Sequence, residues 1–81
     1  MSQFTNFEQV EMKVKAAQKL VGYATMSMDQ QQLNDASIAI EQARGQLEKM
    51  KQVATDLDED FLGNQEAQLE QVEQQLLEAR Q

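Results

Sequence analysis

The acidic run over residues 56–60 (Asp-Leu-Asp-Glu-Asp) is the segment whose residue types could do chemistry. Acids at alternate positions open an EF-hand loop, which binds Ca²⁺ through oxygen ligands. The sixth position of such a loop needs Gly for a sharp turn, and the twelfth needs a bidentate Glu. Here those positions hold Phe61 and Ala67. The run is therefore interpreted as an acidic helix start, where negative charge meets the positive end of the helix dipole.

Catalytic chemistry lacks its usual side chains in this sequence. The chain has no His and no Cys, which removes the commonest general base near neutral pH, the thiolate nucleophile and the principal ligands for zinc, copper and iron. Ser2, Ser27 and Ser37 therefore have no histidine that could activate a hydroxyl for nucleophilic attack. We predict a protein that is not an enzyme and that uses no metal and no other cofactor.

Length and charge narrow the class of protein further. With 81 residues, the chain has room for a single domain over residues 1–81 and a slim core, which favours regular helix packing or self-association. The net charge of −7 argues against binding to nucleic acids and to anionic membranes. No apolar run approaches the roughly 20 residues of a membrane span, and the first residues lack the features of a secretory signal. A cytoplasmic location is expected.

Three stretches carry apolar residues at alternating spacings of three and four, which places the residues of each stretch on one helix face. We call these faces the seams. The first seam is Phe7, Val10, Val14, Ala17, Val21, Ala24 and Met28. The second is Leu33, Ala36, Ile40, Ala43, Leu47, Met50, Ala54 and Leu57. The third is Leu62, Leu69, Val72, Leu76 and Ala79, with polar Gln65 at the one missing position.

Capping residues and a register slip set the predicted helix ends. A capping box of Thr5 and Glu8 starts the first helix, and Ser27 and Asp29 are candidate caps for the second, with Gln at the position that completes each box. The spacing of three and four is interrupted between residues 57 and 62. The third helix is predicted to start in this interval, or as late as residue 64 because of Gly63. The predicted helices span about 6–26, 30–54 and 58–80.

The short turn between the first two helices predicts an antiparallel hairpin. A single continuous helix through residue 54 is the alternative, because neither Pro nor Gly forces a break there. With the third helix added, the predicted fold is all-α, an antiparallel up-down-up three-helix bundle.

The first helix carries a second stripe on the side away from its seam. We call it the outer stripe: Met12, Ala16, Lys19, Tyr23 and Met26. The matching positions of the other two helices are largely polar. Either the first helix lies centrally with neighbours on both faces, or the outer stripe meets another copy or another protein. Phe4, Phe61 and Leu77 also lie off the seams and are expected to join the surface that is buried.

Residues 7–12, 21–29 and 58–62 resemble a family of small uncharacterised helical proteins of Gram-positive spore-forming bacteria. The resemblance implies a bacterial cytoplasmic protein with no assigned activity, and it supplies no functional residue.

The sequence favours a non-enzymatic helical module that binds protein, including a second copy of itself, through the outer stripe. The acid-rich last third of the chain supports an alternative, an acidic regulator that occupies a basic surface of a partner protein. Binding of a small ligand or a divalent ion ranks third.

Overall fold

The structure, a computed structural model, describes residues 6–81. Within that range the chain forms three α-helices: α1 over Asn6–Ser27, α2 over Gln30–Val53 and α3 over Glu59–Arg80. A short 3-10 turn over Asp56–Asp58 precedes α3, and no strand occurs among the described residues. The all-α class is confirmed, and each predicted end lies within one residue of the observed end. The early turn of α3 is helical through Gly63, so the later start at residue 64 is wrong.

All three helices pack against one another, which confirms the three-helix bundle. The side-chain amide of Gln46 on α2 donates to Gln9 Oε1 on α1 at 3.0 Å. On the other side, Lys51 of α2 pairs with Glu66 of α3 at 3.0 Å. These contacts agree with the up-down-up order, which stays a prediction.

The turn between α1 and α2 contains one left-handed residue and one helix cap. Met28 has φ 55°, and its N–H donates to the carbonyl of Ala24 at 2.8 Å, which closes the end of α1. Asp29 then caps α2, because its Oδ1 accepts the N–H groups of Gln31 at 2.9 Å and Gln32 at 3.1 Å. The alternative of one continuous helix through residue 54 is wrong.

The predicted pairing of each cap with a Gln differs from what the structure shows. The hydroxyl of Ser27 donates to Gln32 Oε1 and accepts the N–H of Asp29 at 3.1 Å. In a capping box the Gln32 side chain would accept the backbone N–H of Asp29. Here the Ser27 hydroxyl accepts that N–H, and Gln32 accepts a hydrogen bond from the same hydroxyl. Thr5, the predicted cap of the first helix, lies outside the described residues.

The core follows the seams except at their ends. Among the residues whose burial is described, sixteen apolar side chains are buried: Val10, Val14, Ala17, Val21, Ala24, Leu33, Ala36, Ala39, Ile40, Ala43, Leu47, Met50, Leu62, Leu69, Val72 and Leu76. Two ends of the first seam are exposed instead, Phe7 at 39% and Met28 at 52%. Met28 leaves the seam because α1 has already ended at Ser27. Ala39 joins the core although it lies beside the second seam.

The acidic run forms the 3-10 turn before α3 and the first two residues of α3. Asp58 Oδ2 accepts the backbone N–H of Thr55 at 3.0 Å, while the N–H of Asp58 donates to the Thr55 carbonyl at 2.9 Å. Glu59 and Asp60 follow in the first turn of the helix. The run therefore contributes a turn and a favourable charge at the helix start.

Candidate interaction surface

The outer stripe of α1 lies on the surface of the bundle. All five of its members are exposed, and three of them are large: Met12 at 52%, Tyr23 at 62% and Met26 at 85%. The alternative in which neighbouring helices of the same chain cover both faces of α1 is therefore wrong. In this single chain the outer stripe has no covering helix from residues 6–81.

The outer stripe is exposed because α1 packs against both α2 and α3 through the same side. Gln9 and Gln18 flank the first seam, and each bonds a different helix. Gln9 bonds Gln46 of α2, while the amide of Gln18 donates to Gln68 Oε1 of α3 at 3.1 Å. Three helices around one axis give each helix a single buried sector, so the opposite sector faces solvent.

A shallow depression lies near the middle of the outer stripe. Its lining residues are Met12, Lys15, Ala16 and Lys19. The depression is mainly apolar because the small side chain of Ala16 is bordered by a thioether and by the aliphatic stems of two lysines. Neither Lys15 nor Lys19 forms an ion pair with another described residue. The surface therefore combines apolar area with unpaired positive charge.

Leu20 and Ile38 lie outside the predicted stripe and are also exposed. Leu20 is 36% exposed and Ile38 of α2 is 51% exposed. Leu20 is four residues after Ala16 and three before Tyr23, so it lies on the side of α1 next to the outer stripe. That spacing is the signal by which the sequence could have shown it. Ile38 is a single apolar residue among polar neighbours and gives no periodic signal.

The off-seam residues separate into different surroundings. Phe61 is partly buried against the core, whereas Leu77 is 58% exposed on α3. Leu77 lines a groove between α2 and α3 together with Ser37, Ile40, Glu41, Glu73, Leu76 and Arg80. Phe4 lies outside the described residues. Phe61 thus joins the buried surface as expected, whereas the expectation is wrong for Leu77.

Some charged residues of α2 and α3 form ion pairs within α2 and between the two helices. Arg44 pairs with Glu73, and Lys51 pairs with both Glu48 and Glu66. The hydrogen bond that Lys51 Nζ donates to Glu66 Oε1 raises the pKa of Lys51 above its ordinary value of 10.5, as do the charges of Glu66 and Glu48, while partial burial opposes the shift. Over residues 6–81, no three acidic side chains are grouped to hold a metal ion.

Gln65 is the one buried polar side chain of the described core. It occupies the missing position of the third seam and is 5% exposed. Its Oε1 accepts no hydrogen bond from any described residue. A buried oxygen without a donor costs free energy, so this position carries a local destabilisation.

Comparison with known proteins leaves the activity open and places the chain in one family. None of the helices in the described range has the length and apolar character of a membrane span. No match was found among curated proteins or among solved structures. Residues 3–81 match a family described as a protein of unknown function, DUF2564. The resemblance to a family of small uncharacterised proteins is confirmed, and the chain belongs to the DUF2564 family.

Proposed function

We propose that this chain is a non-enzymatic helical interaction module that binds a second copy of itself through the outer stripe of α1. The observation that carries the proposal is the exposure of three large residues on one helix face, Met12, Tyr23 and Met26. Burying such a face removes apolar area from water, at about 25 cal/mol per Å². Met and Tyr are enriched at protein interfaces. The proposed setting is the cytoplasm, the compartment that the sequence predicts.

A second copy is the proposed partner because large side chains of one outer stripe can lie opposite small side chains of another. Met12 and Met26 lie seven residues on either side of Lys19, with small Ala16 before it and large Tyr23 after it. Two antiparallel copies of α1 related by a twofold axis near Lys19 bring Met12 opposite Met26 and Ala16 opposite Tyr23. Large side chains then face small ones across part of the contact.

The same geometry limits the strength of the association. The stripe runs for about 21 Å along α1, at 1.5 Å per residue, and is one helix wide, about 10 Å. That footprint is smaller than the roughly 800 Å² per partner of a standard stable interface. The two Lys19 ammonium groups approach each other at the axis and must turn outward to water. We expect a reversible dimer with a dissociation constant on the order of 10–100 μM.

Sedimentation equilibrium over a wide concentration range tests the proposal. The expected result is a dimer that weakens at least about tenfold in Tyr23→Lys and in Met26→Lys, because a charge in the contact must be desolvated. Gln71→Lys is the matched control: it adds the same charge to the exposed face of α3 and should leave association unchanged. A chain that stays monomeric to about 1 mM contradicts the proposal, as does equal weakening in the control.

The acidic alternative keeps one specific observation in its favour. Glu59, Asp60, Glu70 and Glu78 are exposed on α3, and none of the four forms an ion pair with a described residue. A basic peptide offered as a probe should then bind more weakly as salt rises, because exposed charges are screened. Binding that barely changes between about 0.05 and 0.5 M salt argues against the alternative.

A further inference from the structure

The methionine sulfur atoms are the most oxidisable groups in this chain. The sequence has five Met and neither Cys nor Trp. Four of the methionines lie among the described residues, and three of these are exposed: Met12 at 52%, Met26 at 85% and Met28 at 52%. The fourth, Met50, is only 2% exposed and packs in the core. An oxidant in water therefore reaches three of these sulfur atoms and is largely excluded from one.

The exposed thioethers are placed on one helix and its end. Met12 and Met26 belong to the outer stripe of α1, at its two extremes. Met28 follows the end of α1 in its left-handed conformation and lines a different groove with Gln30 and Leu33. Oxidation of Met12 and Met26 thus changes the stripe itself, whereas oxidation of Met28 changes a neighbouring surface.

We propose that Met12 and Met26 form an oxidation site, and that their sulfoxides make the outer stripe polar and weaken the association of two copies. The effect on association rests on the proposed function. With hydrogen peroxide as the oxidant, the thioether sulfur attacks one peroxide oxygen, an S–O bond forms and the O–O bond breaks. The proton of the attacked oxygen passes to the departing hydroxide, which leaves as water. Sulfur loses two electrons and peroxide gains them. A polar sulfoxide replaces an apolar side chain, and its burial in a dry contact is costly.

The experiment exposes the reduced chain to limiting hydrogen peroxide and follows each methionine by peptide mass spectrometry with fragmentation. The expected result is that Met12 and Met26 oxidise at least about tenfold faster than Met50. The oxidised chain should leave a hydrophobic interaction column earlier, and its dimer dissociation constant should rise at least about tenfold. Helicity should stay unchanged in circular dichroism. Equal rates at Met50, or unchanged column retention, overturn the oxidation site.

Two variants separate the stripe from the rest of the chain. Met12→Leu with Met26→Leu keeps an apolar stripe without sulfur, so association should persist and lose its response to peroxide. Met28→Leu is the matched control and should respond as the wild type does. A double variant that still responds overturns the assignment to the stripe. If the reduced wild type is monomeric, the proposed function and the proposed effect on association are both wrong. The oxidation rates and the column retention still test whether Met12 and Met26 form an oxidation site.

Discussion

The rings of Phe7 and Phe61 meet edge to face, with centroids 5.0 Å apart and 75° between their planes. The pair joins the beginning of α1 to the beginning of α3. Phe61 is partly buried against the core, and Phe7 is 39% exposed beside it. This geometry places the positive edge of one ring near the negative face of the other, which is worth about 0.5–1.5 kcal/mol beyond the area buried.

The first prediction is that the two rings are energetically coupled. Phe7→Leu and Phe61→Leu should each lower the free energy of unfolding, and the double variant should lose less than the sum, by about 0.5–1.5 kcal/mol. Urea unfolding measures all four stabilities. As a control, Phe7→Leu combined with Leu77→Ala should be additive within about 0.5 kcal/mol, because Leu77 is exposed elsewhere on α3. Additive losses for the ring pair would contradict the prediction.

The helices could be predicted from the sequence because their signals are local. The spacing of apolar residues marks each seam. Asp29 caps α2 by accepting the backbone N–H groups two and three residues further along the chain. The Phe7–Phe61 contact could not be predicted in this way, since it joins residues far apart in the chain. The seam spacing extends to Met28 and predicts that it is buried, but α1 ends one residue earlier, at Ser27.

The exposure of the outer stripe could not be predicted from the sequence, because it depends on how the whole helices are arranged. A helix with two apolar faces fits both a central position and a peripheral one, and the residues of α1 alone do not distinguish them. The hydrogen bonds of Gln9 and Gln18 distinguish these two positions. The two residues lie on opposite flanks of the first seam and bond α2 and α3, respectively. Sequence spacing thus located the candidate surface, and packing showed that it is uncovered in the single chain.

The second prediction concerns the buried amide of Gln65. Gln65→Met should raise the free energy of unfolding by about 1–2 kcal/mol, because Met has a similar shape and removes a buried oxygen without a donor. The urea midpoint should rise while the m-value stays the same. Gln71→Met, an exposed change on the same helix, should stay within about 0.5 kcal/mol of the wild type. A loss of stability in Gln65→Met would mean that the amide is satisfied in solution.

The third prediction uses the left-handed backbone of Met28. Met28→Gly should stabilise the chain by about 0.5–1 kcal/mol, because glycine adopts φ 55° without the steric cost of a side chain. Thermal and urea unfolding both measure the change. Lys13→Gly is the control: Lys13 is exposed well inside α1, where glycine should cost about 1 kcal/mol. Destabilisation by both substitutions would show that the side chain of Met28 contributes more than its backbone conformation costs.

The fourth prediction follows from the raised pKa of Lys51. Its hydrogen bond with Glu66 favours the charged amine in the folded state, so the folded chain binds that proton more tightly than the unfolded chain. The pair therefore stabilises the fold below the ordinary pKa of 10.5, and this contribution is lost as pH rises through the folded value. Because the pair is partly exposed to solvent, Lys51→Met should cost at most about 0.5 kcal/mol at pH 7.

The stability difference between the wild type and Lys51→Met should then shrink as pH rises above 10.5 and through the raised pKa of Lys51, and it should shrink in about 1 M salt at pH 7. Comparing the two chains at each pH cancels the titration of groups that they share. Lys49→Met is the control, since Lys49 is exposed and forms no ion pair within residues 6–81, so its effect should be flat across this range. A cost for Lys51→Met that does not fall as pH rises above 10.5 would assign the contribution of Lys51 to the packing of its aliphatic stem instead of its charge.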